Sequence, residues 1–209
     1  MSADVSGSLW RAEKPLVLAS KSATRRALLA SAGIPLEIVD APVDERQLEA
    51  DAVAQGVSPA GVASQLAAAK ALAGSAARPG RLVLGADQTL ALGTEAFHKP
   101  ADRAAAAAQI ALLAGKTHEL HAAVALARDG EVLFEMVDTA RLAMRPLDAE
   151  AIAAYLNAAG DTVLSSVGGY QLEGLGIHLF ERVEGAHSTI LGLPLLPLLA
   201  FLRRHGDVL

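Results

Sequence analysis

No cysteine occurs in this chain. That excludes disulfides, thiolate metal sites and a cysteine nucleophile, and it fits a reducing, cytoplasmic compartment. Aromatic residues make up only 3% of the chain and the formal net charge is −5. A nucleic-acid surface needs a basic footprint and stacking rings, so no nucleic-acid partner is expected. Long apolar runs are missing as well. The longest, Ile190 to Leu202, is interrupted by Gly192, Pro194 and Pro197 and is too short to span a bilayer. It reads as a buried C-terminal helix starting near Pro194, and no membrane partner is expected. Residues 1–14 lack the apolar centre of a signal peptide and read as a loose tail ahead of one domain over 15–209.

What is present is globular: 52% of the 209 residues are hydrophobic and 20% charged. Leu16 to Ala19 reads as a short strand and Ser22 as the N-cap of a helix that ends at Gly33. A second strand covers Leu36 to Val39. Ser58-Pro59 opens a helix to about Gly74, with Val62, Leu66, Ala69 and Ala73 as its inner stripe. Arg81 to Asp87 reads as a buried strand ending in a carboxylate. Asp102 starts an alanine-rich helix that stops at Gly115. Leu120–Ala127 and Val132–Met144 form a hairpin about Asp129-Gly130, Asp148 caps a helix ending at Gly160, and Gly176 to Val183 is a last strand. Helices intermixed with a hairpin predict an α/β fold with a mixed sheet.

Ser20, Ser22, Arg25 and Arg26 surround the first helix start, where unpaired N–H groups and the helix dipole favour an anion. At 100° per residue, Arg25 shares the face of Leu28, Leu29 and Ala32, while Arg26 points to solvent. Arg25 is therefore the candidate anion ligand, the alternative being a structural carboxylate as its partner. Asp87 is the strongest acid: it ends a strand, Gly85 leaves room for a ligand, and a carboxylate there can hold a metal or serve as a base. Capping a turn is the plainer reading. Asp44-Glu45 supplies further acid. Lys70 lies at the margin of its helix's apolar stripe, and snorkelling to solvent is its default reading. Lys99 precedes a helix where an ammonium could meet the same anion.

Other motifs fail. Gly115-Lys116-Thr117 looks like the end of a P-loop, but the required glycine position holds Ile110 and the segment follows a helix. His118 and His121 would face opposite sides of a strand, which is no metal pair. No Gly-x-Ser-x-Gly elbow occurs.

The segments Leu18-Ala19-Ser20-Lys21-Ser22 with Arg25, Val43-Asp44-Glu45, Lys70, Gly85-Ala86-Asp87, Lys99-Pro100, Gly115-Lys116-Thr117-His118 and Gly192-Leu193-Pro194-Leu195 stand in the order found in the Maf family of nucleotide pyrophosphatases, once described as septum-formation inhibitors. The chain resembles that family over about residues 15–204. The resemblance implies an elongated, ITPase-like mixed sheet with a substrate cleft, a dependence on a divalent metal (Mg or Mn), and often a homodimer. It implies hydrolysis of a nucleoside triphosphate between the α and β phosphates. On it, Asp87 is the proton acceptor, Glu45 and Asp87 hold the metal, and Arg25, Lys70 and Lys99 neutralise phosphate charge, with Ser20 and Ser22 in the phosphate-binding turn. Gln88 and Glu173 stand where the branch cleaving thymidine and uridine triphosphates has threonine and glutamine, which resembles the 7-methyl-GTP branch instead. Thr24 is a third specificity position and departs from that branch, where a large aromatic is usual. The rival expectation is a nucleotide-binding regulator of cell division with incidental turnover.

Overall fold

Local sequence signals place most element starts in the computed structural model, which describes residues 9–209. Strand β1 (Leu16–Ala19) leads into helix α1 (Ala23–Ser31) and strand β2 (Leu36–Ile38). Helices α2 (Glu45–Ala54) and α3 (Pro59–Ala77) precede β3 (Val83–Leu92), β4 (Glu95–Phe97), α4 (Arg103–Leu113), β5 (Thr117–Arg128), β6 (Glu131–Met144) and α5 (Ala149–Ala159). Three short 3-10 turns lie between residues 160 and 179, followed by β7 (Phe180–Glu184), α6 (His187–Ile190) and α7 (Leu195–His205). Ser22, Asp44, Ser58, Asp102 and Asp148 each cap a helix, their side-chain oxygens accepting from the backbone N–H three residues on. The hairpin turn has Asp129 and Gly130 both at positive φ (50° and 83°), the geometry that matches strand twist in a two-residue connection.

The seven strands form one mixed sheet in the order β2-β1-β3-β5-β6-β7, with β4 paired to β3. β1 runs parallel to β2 and β3, while β3, β5, β6 and β7 are antiparallel. One face carries two apolar clusters. Leu18, Leu29, Leu84, Val124, Leu193, Leu198 and Leu202 pack at one end, and Leu90, Ile110, Leu142, Leu156 and Leu179 at the other. On the opposite face α3 lies on β5 through a buried layer of alanines, Ala63, Ala67 and Ala71 against Ala123, Ala125 and Ala127, with Leu72 and Val137 packed beside it. No helix among the described residues is long and apolar enough to cross a membrane.

The structure departs from the sequence reading in several places. Helix α2 was not predicted, and its Ala52 packs with Val62 and Leu66, so these two face α2. The sheet-facing stripe of α3 is Ala63, Ala67 and Ala71, while Ala69 and Ala73 are half-buried. An alanine-rich helix carries little contrast between its sides, and the smallest residues take the closest approach. β3 does not stop at Asp87 but runs on to Leu92, carried by antiparallel pairing with β5. The last strand starts at Phe180, after a 3-10 turn over Leu175–Leu179. Residues 1–8 of the expected tail lie outside the described residues. From residue 9 the chain is docked: Trp10 is buried, bridges Val208, and Arg11 donates to the Asp207 carbonyl.

Candidate active site

β1 ends where its pairing with β3 ends, at Ala19 opposite Gly85. Beyond that point the Ala86 carbonyl has lost its neighbouring strand, and Arg25 fills the gap. Its Nη1 donates to the Ala86 carbonyl at 2.8 Å and to Ser20 Oγ at 3.3 Å, and its Nε donates to the Gly192 carbonyl at 2.9 Å. Gly192 is at φ 88°, and a Cβ there would lie 3.4 Å from Arg25 Nη2, so glycine suits both the turn and the contact. The two Nη2 hydrogens make no hydrogen bond among the described residues. Arg25 is thus a fixed cation with one amino group to spare, and its charge has no carboxylate in direct contact. Burial pushes its pKa down, while the charges of Asp87 and Glu45 act in the opposite direction. Arg26 is exposed, as the helix face predicts. Ser22 Oγ accepts from the Arg25 backbone N–H, and Ser20 Oγ also accepts from the Ser22 N–H.

The other half of the site is built by α3. Gly85 does not make room for a ligand. A Cβ there would run into the Ala67 carbonyl and stand 2.5 Å from the Ala71 nitrogen, so Gly85 makes room for α3. That contact brings Lys70 to Asp87. Lys70 Nζ donates to Asp87 Oδ1 at 2.7 Å and lies 2.9 Å from Glu45 Oε2 at the start of α2. The default reading of Lys70 as a snorkelling side chain is therefore overturned. Its side chain is only 12% exposed, because the stem is enclosed and the head has two acids to meet. Asp44 is the α2 cap and takes no part in the cluster.

These groups line a cleft of about 700 Å³ whose walls include Ser20, Ser22, Thr24, Arg25, Glu45, Lys70, Asp87, Gln88, Lys99 and Glu173. All ten residues expected at the site thus border one cavity. They are not all in contact. Lys99 and Glu173 are exposed on its walls with no hydrogen bond or ion pair among the described residues. Gln88 is tied down, its Nε2 donating to the Thr189 and Ile190 carbonyls at 3.1 and 2.9 Å. The sequence reading missed the Ala86 and Gly192 carbonyls, Thr189, and the wall around Tyr170. Gly192 was the one local signal.

A family model described as Maf-like protein matches residues 15–205. The chain belongs to the Maf family. It is 60% identical over 196 residues to the nucleoside triphosphate pyrophosphatase of Rhodopseudomonas palustris strain HaA2, covering 93% of this chain and 96% of that protein. It is 57% identical over 195 residues to a protein of the same name from Bradyrhizobium diazoefficiens, at 93% and 96% coverage. The 7-methyl-GTP pyrophosphatase of Brucella abortus biovar 1 is 54% identical over 189 residues, at 90% and 95% coverage.

For a Maf-family chain the question of a divalent cation turns on its donors. No cluster of three or more histidine, aspartate or glutamate side chains suited to a metal occurs among the described residues. Glu45 and Asp87 converge on one point, at present the Lys70 ammonium. Two carboxylates fit a magnesium-type ion, which takes one or two protein acids and completes its shell with water and phosphate. They do not fit a closed site made by protein alone.

Proposed function

We propose that this Maf-family protein is a pyrophosphatase that hydrolyses a nucleoside triphosphate between the α and β phosphates. The products are a nucleoside monophosphate and pyrophosphate, and 7-methyl-GTP is the favoured substrate. The observation that carries the reading is a buried carboxylate, Asp87, held beside two fixed cations, Lys70 and Arg25, in one cleft. The family membership and the names of its relatives support the same reaction.

Asp87 accepts the proton of the attacking water, the role a strand-held carboxylate fills as general base. Arg25, through its remaining Nη2 hydrogens, and Lys99, exposed on the cleft wall, meet the phosphate oxygens and offset charge that grows as the anhydride breaks. Lys70 holds the Asp87 carboxylate in place. Glu45 and Asp87 would hold a divalent cation together with the triphosphate, and it would supply further charge neutralisation. At the base end, the Glu173 carboxylate accepts from the N1–H and amino group of a guanine, a pattern that uracil and thymine do not offer.

Pyrophosphate release from a panel of nucleotides, with magnesium, with manganese and after chelation, tests this. Turnover with a divalent ion and 7-methyl-GTP in front is the expected result. Fastest cleavage of thymidine triphosphate would overturn the base assignment, and binding without turnover would overturn the enzyme.

A further inference from the structure

Gln88, Ala122 and Asp138 stand in one row across β3, β5 and β6: Gln88 pairs with Ala122, and Ala122 with Asp138. The middle position carries only a methyl group. Thr189 of the short helix α6, itself fully buried, bridges from one end of that row to the other. Its hydroxyl donates to Asp138 Oδ2 at 2.6 Å, and its carbonyl accepts from Gln88 Nε2 at 3.1 Å. The same carbonyl accepts from the Gly192 N–H at 3.0 Å, and the Gly192 carbonyl holds Arg25 Nε. Asp138 is fixed in turn, its Oδ1 accepting from the Thr139 N–H. Helix α6 has no side-chain cap of its own, and the Thr189–Asp138 bond is the one its own side chains make to the neighbouring strand β6 among the described residues.

The tie decides what Gln88 can offer. Both hydrogens of its amide nitrogen are taken by the Thr189 and Ile190 carbonyls. The reverse orientation would set the amide oxygen against two carbonyl oxygens and is excluded by repulsion. The Gln88 oxygen is the polar group that remains for the cleft, and it lies beside Gly192 and Arg25. We infer that Asp138 and Thr189 are positioning residues that lock Gln88 as a hydrogen-bond acceptor and thereby favour bases bearing donors. This rests on the nucleotide pyrophosphatase reading above. Without the Thr189–Asp138 bond α6 shifts on the sheet, its carbonyls move off the Gln88 amide, and Gln88 rotates to present its N–H group, which suits a pyrimidine carbonyl.

The readout is the ratio of kcat/KM for 7-methyl-GTP to that for UTP. Loss of one neutral hydrogen bond corresponds to a change of about 2–10-fold. Thr189→Val, which keeps shape and removes the hydroxyl, lowers the ratio by that amount, and Thr189→Ser restores it. In a Gln88→Ala background Thr189→Val changes the ratio no further, because the residue it acts through is gone. A merely structural threonine would lower both rates together and leave the ratio alone. An unchanged ratio in Thr189→Val, or effects that multiply in the double variant, overturns the inference. Should Thr189→Val not fold, Asp138→Ala decides: it removes the acceptor of the Thr189 hydroxyl outright, so a fall in the ratio supports the relay and a constant ratio overturns it. Absence of turnover in the parent protein overturns the pyrophosphatase reading itself, and this inference with it, before any variant is compared.

Discussion

Lys70 Nζ and Asp87 Oδ1 are 2.7 Å apart, and each side chain is only 12% exposed. The two residues come from different elements, and their meeting depends on the absence of a side chain at Gly85, where α3 touches β3. In the ligand-free protein the Lys70 ammonium holds the base candidate in place and shares itself with Glu45.

Asp87→Asn keeps the shape of the side chain and removes its ability to take a proton. General-base catalysis contributes roughly 10²–10⁴-fold, so kcat for pyrophosphate release falls by about that factor. Nucleotide binding measured by calorimetry stays within a few-fold of the parent. Release at the parent rate from a folded variant would remove Asp87 from its role.

Gly85→Ala forces a methyl group into the α3 backbone at Ala67 and Ala71, neither of which can yield as a side chain would. Overpacking of this kind costs about 1–3 kcal/mol, read as a lower melting temperature. The α3 shift also draws Lys70 off Asp87, so kcat drops by more than the unfolded fraction explains. A variant that melts lower yet keeps full kcat would show that the Lys70–Asp87 contact is dispensable.

The legibility of this chain followed the range of the signal. Caps, turns and the hairpin are written in adjacent residues, and Ser22, Asp102, Asp129-Gly130 and Asp148 stand where their chemistry predicts. The helix face alone separated Arg25 from Arg26. Lys70, Gly85 and Gln88 were different, because their roles are set by what lies across from them. A lysine at the edge of an apolar stripe reads as solvated until α2 brings Glu45 to it and β3 brings Asp87. Gly85 reads as a ligand gap until α3 fills it. Helix α2, whose only large apolar residues are Leu48 and Val53 and which is mostly exposed, has almost no periodic signal to find.

Glu173→Gln replaces an acceptor-only carboxylate on the cleft wall with an amide that also donates. On the base-reading role, kcat/KM for 7-methyl-GTP falls by about 10–100-fold for a single lost bond to a charged group, and the value for UTP rises or holds. Melting is unchanged, since the side chain is exposed and has no bond to protein among the described residues. Equal losses on both nucleotides would deny Glu173 any part in selectivity.

His118 gives the fold a pH dependence whose sign follows from its burial. Its Nε2 is 2.6 Å from the Tyr170 hydroxyl inside the core, and burial pushes its pKa down to about 4 from 6.5. As pH falls below about 6.5 the unfolded chain takes up a proton that the folded chain refuses until about pH 4. In that window the unfolded state binds more protons, so stability rises with pH. The contribution is complete above the unfolded pKa and lost progressively on acidification, to a total of about 3 kcal/mol at 1.36 kcal/mol per unit. His121 is lowered too, by burial with Glu119 opposing, and adds with the same sign. Melting temperature therefore climbs across this interval and levels off near neutrality. His118→Gln, which leaves Tyr170 a partner and has nothing to titrate, flattens most of the rise. Parallel melting curves for the two proteins from acid to neutral pH would show that His118 already takes its proton in the folded state.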